Sequence, residues 1–179
     1  MIKNLIFIVG LATCSMPILA QETPVISEQD AKQQLQDYFF EAARTGNLPM
    51  LQEFIQAGYN LNIQDTKGYS ALILAAYHGQ KSTVDTLLKA GANPCLQDNR
   101  GNTALMGAIF KGEIKIANTL MHTKCAPDQQ NNAGQTASMY AALFQRKEIL
   151  DSLIKQGANP HIQDAKGNNL QDLQQGQFH

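Results

Sequence analysis

A single interval runs through this chain and limits what it can become. Gly68, Gly101, Gly134 and Gly167 stand 33 residues apart, and Asp65, Asp98, Asn131 and Asp164 keep the same spacing. Ser70, Thr103 and Thr136 repeat in phase with them, as do Gly46, Gly79 and Gly112, with Gln145 in the fourth place. Gly58, Gly91 and Gly157 complete the register, and Lys124 stands where a further glycine is due. One such ladder can arise by chance, but five sharing a phase mark a repeated structural unit.

The physics of one unit follows from its residues. In the second unit, Ser70 is placed to cap a first helix by accepting a hydrogen bond from an orphan backbone N–H. Leu72, Ala75 and Ala76 then lie on one face, and Gly79 permits a tight corner at positive φ without a Cβ clash. A second helix, about Lys81 to Lys89, carries Val84, Leu87 and Leu88 at helical spacing. Gly91 ends it as a left-handed residue. The run Cys95 to Gly101 passes through Asp98 into a hairpin-like turn. One helix pair leaves its apolar face bare, whereas a stack of four makes one elongated core.

This 33-residue unit resembles the ankyrin repeat over about Tyr38 to Leu173. Ser70-Ala71-Leu72, Thr103-Ala104-Leu105 and Thr136-Ala137-Ser138 are similar to that family's Thr-Pro-Leu-His segment, with Ala replacing Pro each time. Ile73, Met106 and Met139 replace the His, which in the family ties neighbouring repeats by hydrogen bonds. The resemblance therefore implies joins that lean on apolar packing. Ala75-Ala76 and Ala141-Ala142 match the close-packed Ala pair, while Gly107-Ala108-Ile109 departs from it. Lys89 to Pro94 and Lys155 to Pro160 resemble the Leu-Leu-x-x-Gly-Ala-Asp exit. The implied fold is all-α, an ankyrin-repeat solenoid of stacked antiparallel helix pairs with short hairpin-like loops. Its divisions are an N-terminal extension and capping helix over 21–37, repeats over 38–64, 65–97, 98–130 and 131–163, and a truncated C-terminal cap over 164–179.

The ends and one join depart from the pattern. Ser27, three residues ahead of Asp30, is a weak helix start, because Asp is not the usual Glu or Gln of a capping box. Leu35, Tyr38, Phe39, Ala42 and Ala43 supply the apolar stripe that leads into the first repeat. Asn169 is placed to cap a short last helix carrying Leu170 and Leu173, whose Gln171, Gln174 and Gln175 suit a terminal unit facing water. Between Lys124 and Leu143, Lys124 replaces a terminating Gly, Ser138 a core Leu and Gln145 a turn Gly. Trading a buried Leu for Ser forfeits roughly 2–5 kcal/mol unless Met139 or a neighbour fills the space. A bend at this join and ordinary repacking both account for the departures.

Ahead of the repeats, Met1 to Ala20 has one Lys (Lys3), an apolar run from Leu5 to Leu19 and Ala20 before Gln21. That is the layout of a secretory signal peptide over 1–20, and it points to export into a bacterial periplasm. The lesser alternatives are an uncleaved anchor and an outer-membrane lipoprotein through Leu11-Ala12-Thr13-Cys14. Gln21 to Ile26 is expected to be flexible. Beyond Ala20 no apolar stretch approaches the ~20 residues that span a bilayer. With Lys3 set aside, 13 Lys and Arg face 15 Asp and Glu, a formal net of −2. That balance excludes the basic field a nucleic-acid partner needs, and a polybasic membrane patch as well.

Chemistry is sparse. His78, His122, His161 and His179 fall on different parts of different units, with no Cys or carboxylate at metal-ligand spacing. No Gly-rich phosphate loop follows a strand, and no Ser–His–Asp or Cys–His set can be placed on these elements. The expectation is therefore a non-enzyme with no catalytic residue, no metal and no cofactor. A haem-binding or catalytic protein is kept as the alternative of a different class. Cys95 and Cys125 lie 30 rather than 33 residues apart, and so occupy different places in adjacent units. Stacked units stand roughly 10 Å apart, while a disulfide wants Cα atoms within about 7 Å. A chain bend near Pro94 can bring the two closer, so a disulfide, two separate structural thiols and a redox role all stay open.

What remains for function is surface. Ankyrin repeats bind through hairpin tips and the exposed ends of first helices. By position, the resemblance picks out Tyr69, Asn102 and Gln135 on the hairpin arms. Along the helices it picks out Tyr77, Phe110 and Leu143, with His78, Lys111 and Phe144 beside them. Lys67, Arg100 and Lys166 add a mild positive line at the tips, suited to orienting an acidic partner. An exposed apolar row implies a protein interface; the alternative tucks Phe110 and Leu143 into the core. Small exported bacterial proteins of this kind include immunity partners of secreted toxins or effectors, and helpers of catalase in peroxide defence. The resemblance does not separate these partner types, and a different protein partner stays open beside them.

Overall fold

The computed structural model describes residues 27–177, so the signal segment, Cys14, Gln21 to Ile26 and His179 lie outside the described residues. The first helices are α1 (Glu28–Thr45), α3 (Ala71–Tyr77), α5 (Ala104–Lys111), α7 (Ala137–Leu143) and α9 (Leu170–Gln174). They pack in sequence as one row. The second helices α2 (Leu48–Gln56), α4 (Lys81–Lys89), α6 (Ile114–Met121) and α8 (Lys147–Lys155) form a parallel row behind. Among the described residues there is no sheet, only isolated antiparallel bridges at Gln64–Ser70 and Gln97–Thr103.

Helices of seven to nine residues cannot stand alone in water. These are held by caps and by burial on both sides of the first-helix row. Ser70, Thr103 and Thr136 each accept a hydrogen bond from the amide three residues on, at 3.2, 3.3 and 3.3 Å. Asn169 closes a full capping box with Asp172. Leu72, Ala75, Ala76, Met106, Ala108, Ile109, Met139 and Ala141 are buried between neighbouring units. Val84 and Leu87, Ile116 and Leu120, and Ile149 and Leu153 seal the second row against them. At the start of the stack, Phe39 meets the rings of Phe54 and Tyr59 at 5.2 and 5.1 Å.

Two features refine the reading of the sequence. The division at 37/38 falls within α1, because Ser27 caps a helix that runs 18 residues without a break and carries both the leading turns and the first repeat's first helix. The joins do not rest on apolar packing alone, although Ile73, Met106 and Met139 are buried. Gln64, Gln97 and Gln130 each donate to the carbonyl of their own hairpin glycine, Gly68, Gly101 and Gly134. The same three amides reach the next unit at Gln97, Gln130 and Gln163, over 2.7, 2.8 and 3.3 Å. A glutamine ladder thus supplies hydrogen bonds between repeats.

At the departing join, Ser138 is buried with its hydroxyl 2.8 Å from that of Thr136, and Met139 is buried beside it. Gln145 takes the turn at φ 54, left-handed like the glycines it replaces. The tightest demand for glycine falls at the hairpins. A Cβ on Gly101, at φ +78, would stand 2.6 Å from the Asn132 amide nitrogen of the next unit.

Candidate functional site

The hairpin arms and first-helix ends meet along one edge of the stack. Tyr77 ends α3 and Phe110 lies in the last turn of α5, at 39% and 44% exposure. Their rings stack 6.1 Å apart and 12° from parallel, across the join between the second and third units. Phe110 then meets Phe144 edge-on at 5.0 Å, and Phe144 meets Tyr140 at 5.8 Å. The Lys111 ammonium sits 5.1 Å over the Tyr77 ring, a cation–π contact. His78 packs edge-on to the other side of Tyr77 at 5.5 Å.

Phe110 is therefore on the surface. Leu143 and Phe144 are both half-buried; Leu143 packs against the core, and the Phe144 ring makes the contact that carries the aromatic edge into the fourth unit. Gly107 lies beneath Tyr77, with the nearest ring atom 3.8 Å from where a Cβ would stand. Gly107 forms part of a groove between the rings and the hairpins, lined also by Tyr69, Ile73, Tyr77, Asp98, Arg100, Asn102, Thr103, Phe110 and Tyr140. A second groove continues toward α1 past Lys67, Tyr69, Tyr77, His78 and Arg44.

The hairpin arms are less free than their sequence suggests. Asn102 accepts hydrogen bonds from the Tyr140 hydroxyl and the Asn131 side chain, both at 2.9 Å, and donates to Asp98. Gln135 accepts from Asn131 at 3.3 Å. Both therefore brace the groove wall, whereas Arg100, Lys67 and Lys166 are exposed at the tips. Their partner acids are turned inward: Asp65, Asp98 and Asp164 each use Oδ1 to accept two backbone amides of their own hairpin. Tyr140 escaped the sequence reading. Its only signal was an aromatic at the first-helix place held by Gly107 and Leu74 one and two units earlier.

Burial pushes the Tyr140 phenol above its ordinary pKa, against the opposing pull of the Asn131 hydrogen bond. Burial also lowers the His78 pKa, and the charges of Arg44 and Lys111 push the same way against Glu41. Burial and these charges thus favour the neutral His78 ring, and the groove presents aromatic and hydroxyl-bearing side chains, with Asp98 in its wall and Arg100 at its rim.

The remaining chemistry-bearing residues do not converge. His122 ends α6 with Nδ1 2.7 Å from the Asn118 carbonyl, and His161 lies exposed in the loop after α8. Among the described residues no group of three or more His, Cys, Asp or Glu is arranged to hold a metal, and no helix is long and apolar enough to cross a membrane. Cys95 and Cys125 are joined by a disulfide, their Cα atoms 5.4 Å apart. Their offset of three residues from the repeat turns the loop after α6 back onto the loop after α4, inside the spacing of the helix rows.

Comparison with known proteins agrees with this architecture. The family described as ankyrin repeats (3 copies) matches residues 39–131, and the single ankyrin repeat matches residues 133–165. An ankyrin repeat protein of Pseudomonas aeruginosa is 44% identical over 45 residues, which is 25% of this chain and 26% of that protein. The match thus spans about a quarter of that relative's length.

Proposed function

The chain belongs to the ankyrin-repeat family, and from that premise we propose that it is an exported, periplasmic binding protein that captures a protein partner on its aromatic edge. The repeat stack itself is a protein–protein interaction scaffold. The observation that carries the proposal is the exposed Tyr77–Phe110 stack, continued by Phe144, beside a groove with Arg100 at its rim. Two large aromatics more than one-third exposed cost solubility in isolation, and they are the residue type that anchors interfaces.

Export is supported by the signal-like first twenty residues and by a disulfide, which persists in oxidising compartments. The partner classes that suit an exported scaffold are a secreted toxin or effector held inactive and a catalase-type enzyme aided in peroxide defence. A toxin blocker forms a tight equimolar complex and protects cells given the toxin. A catalase helper raises peroxide resistance, and its deletion lowers catalase activity with no toxin present.

The test is a pull-down from periplasmic extract with the purified protein and with the Tyr77→Ala, Phe110→Ala double variant. At least one abundant protein is expected on the first and lost from the second. Retention of the same set by both assigns binding to another face.

A further inference from the structure

The inference comes from the loops that leave the second helices. At the join between the first and second units, the Asn62 side chain accepts a hydrogen bond from the Asn93 amide at 2.8 Å. At the join between the third and fourth, Asp128 does the same for the Asn159 amide at 2.9 Å. The residue midway between Asn62 and Asp128, 33 from each, is Cys95. A cysteine sulfur is a poor acceptor. Cys95 is instead bonded to Cys125, the neighbour of Ala126, which holds the place of Asn93 and Asn159. The covalent bond occupies the site of that side-chain-to-amide tie, and beside it the Gln129 side-chain amide donates to the Cys95 carbonyl at 3.0 Å.

The same loop departs in a second way. Tyr59, Ala92 and Ala158 donate their amides to Phe54, Leu87 and Leu153, five residues back, closing each helix end around a left-handed glycine. In the third unit Lys124 replaces that glycine, and the Leu120 carbonyl takes the Thr123 amide at 3.1 Å and the Thr123 hydroxyl at 2.6 Å. The third exit thus differs from the others at both its terminator and its tie, and it is the exit held by the disulfide.

We propose that the Cys95–Cys125 disulfide is a redox-dependent clamp that substitutes for the loop tie and the glycine terminator, and that its reduction loosens the join between the second and third units. That is the join across which Tyr77 stacks on Phe110. The clamp forms by exchange with a disulfide donor RS–SR: one cysteine thiolate attacks, releasing RSH, and the second displaces the remaining RS group as RSH. The cysteine pair loses two electrons and two protons, and the donor gains them. This inference rests on the loop geometry and not on the binding face.

The test compares the purified protein before and after reduction with two variants. C95A/C125A removes the clamp, and C95N/C125A removes it while restoring the kind of tie Asn62 makes. Reduction is expected to lower the thermal midpoint by roughly 5–10 °C. It should also speed amide exchange in residues 122–130 by at least about tenfold. C95A/C125A should show both changes without reductant, and C95N/C125A should recover part of the lost midpoint. If C95A/C125A does not fold, reduction of the folded protein followed by exchange still reads the effect. Alkylation of both cysteines in never-reduced protein overturns the proposal, as does reduction that leaves midpoint and loop exchange unchanged. An intact clamp on a protein that captures no partner counts against the proposed binding face alone.

Discussion

The hairpin edge and the loop edge of this stack share one task, holding each unit to the next, and they meet it differently. Along the hairpins the same bonds recur. An Asp or Asn accepts two backbone amides, a Gln bridges its own hairpin to the next, and the Asn99, Asn132 and Ala165 amides reach the Lys67, Arg100 and Ala133 carbonyls at 2.8–3.0 Å. Along the loops the three joins use an Asn, a disulfide with a Gln129 bond to the Cys95 carbonyl, and an Asp. A bond aimed at fixed backbone atoms demands one side-chain length and one backbone angle at every unit. A tie between two exposed loops demands only a group that reaches across.

If that contrast is right, the largest penalty should fall on the crowded hairpin glycine. Gly101→Ala must hold positive φ and push the Asn132 backbone away, so a loss of about 2–4 kcal/mol is expected in chemical denaturation. Gly157→Ala keeps positive φ but meets nothing within 4 Å, so only the backbone cost of about 1–2 kcal/mol should appear. Equal losses at the two sites would remove the distinction between edges. Next in size, Gln97→Ala gives up its bonds to Gly101 and Gln130, an expected cost of about 1–2 kcal/mol. Asn62→Ala loses one exposed loop bond and should cost no more than about 1 kcal/mol in the same assay. The smallest effect runs the other way. Gln145→Gly relieves a left-handed turn and should stabilise the protein by about 0.5–1 kcal/mol; a loss there would mean that the Gln side chain holds the turn.

Much of the fold was legible, because spacing alone locates caps, corners and hairpins. Ser70, Thr103, Thr136 and Asn169 are visible as caps from their interval and their oxygen-bearing side chains. The aromatic edge was legible in part. Tyr77 and Phe110 follow from register, but Leu143 and Phe144 are adjacent and both half-buried, and which one meets the Phe110 ring depends on how the short α7 ends at Phe144. Tyr140 and the bracing of Asn102 were not legible. That network joins residues 38 apart through side-chain atoms, across a groove that Gly107 helps to line.

The amino-acid order by itself determined the repeating unit, its caps and its all-helical class, since each depends on contacts within a few residues or at one fixed interval. Only the stacked structure decided which aromatic continues the edge, whether Asn102 is free or committed, and that Cys95 and Cys125 bond. Those outcomes turn on distances between side chains from different units, set by how closely the helix rows pack and where each loop turns back. A period in sequence specifies that units stack, but not what fills the space where two of them meet.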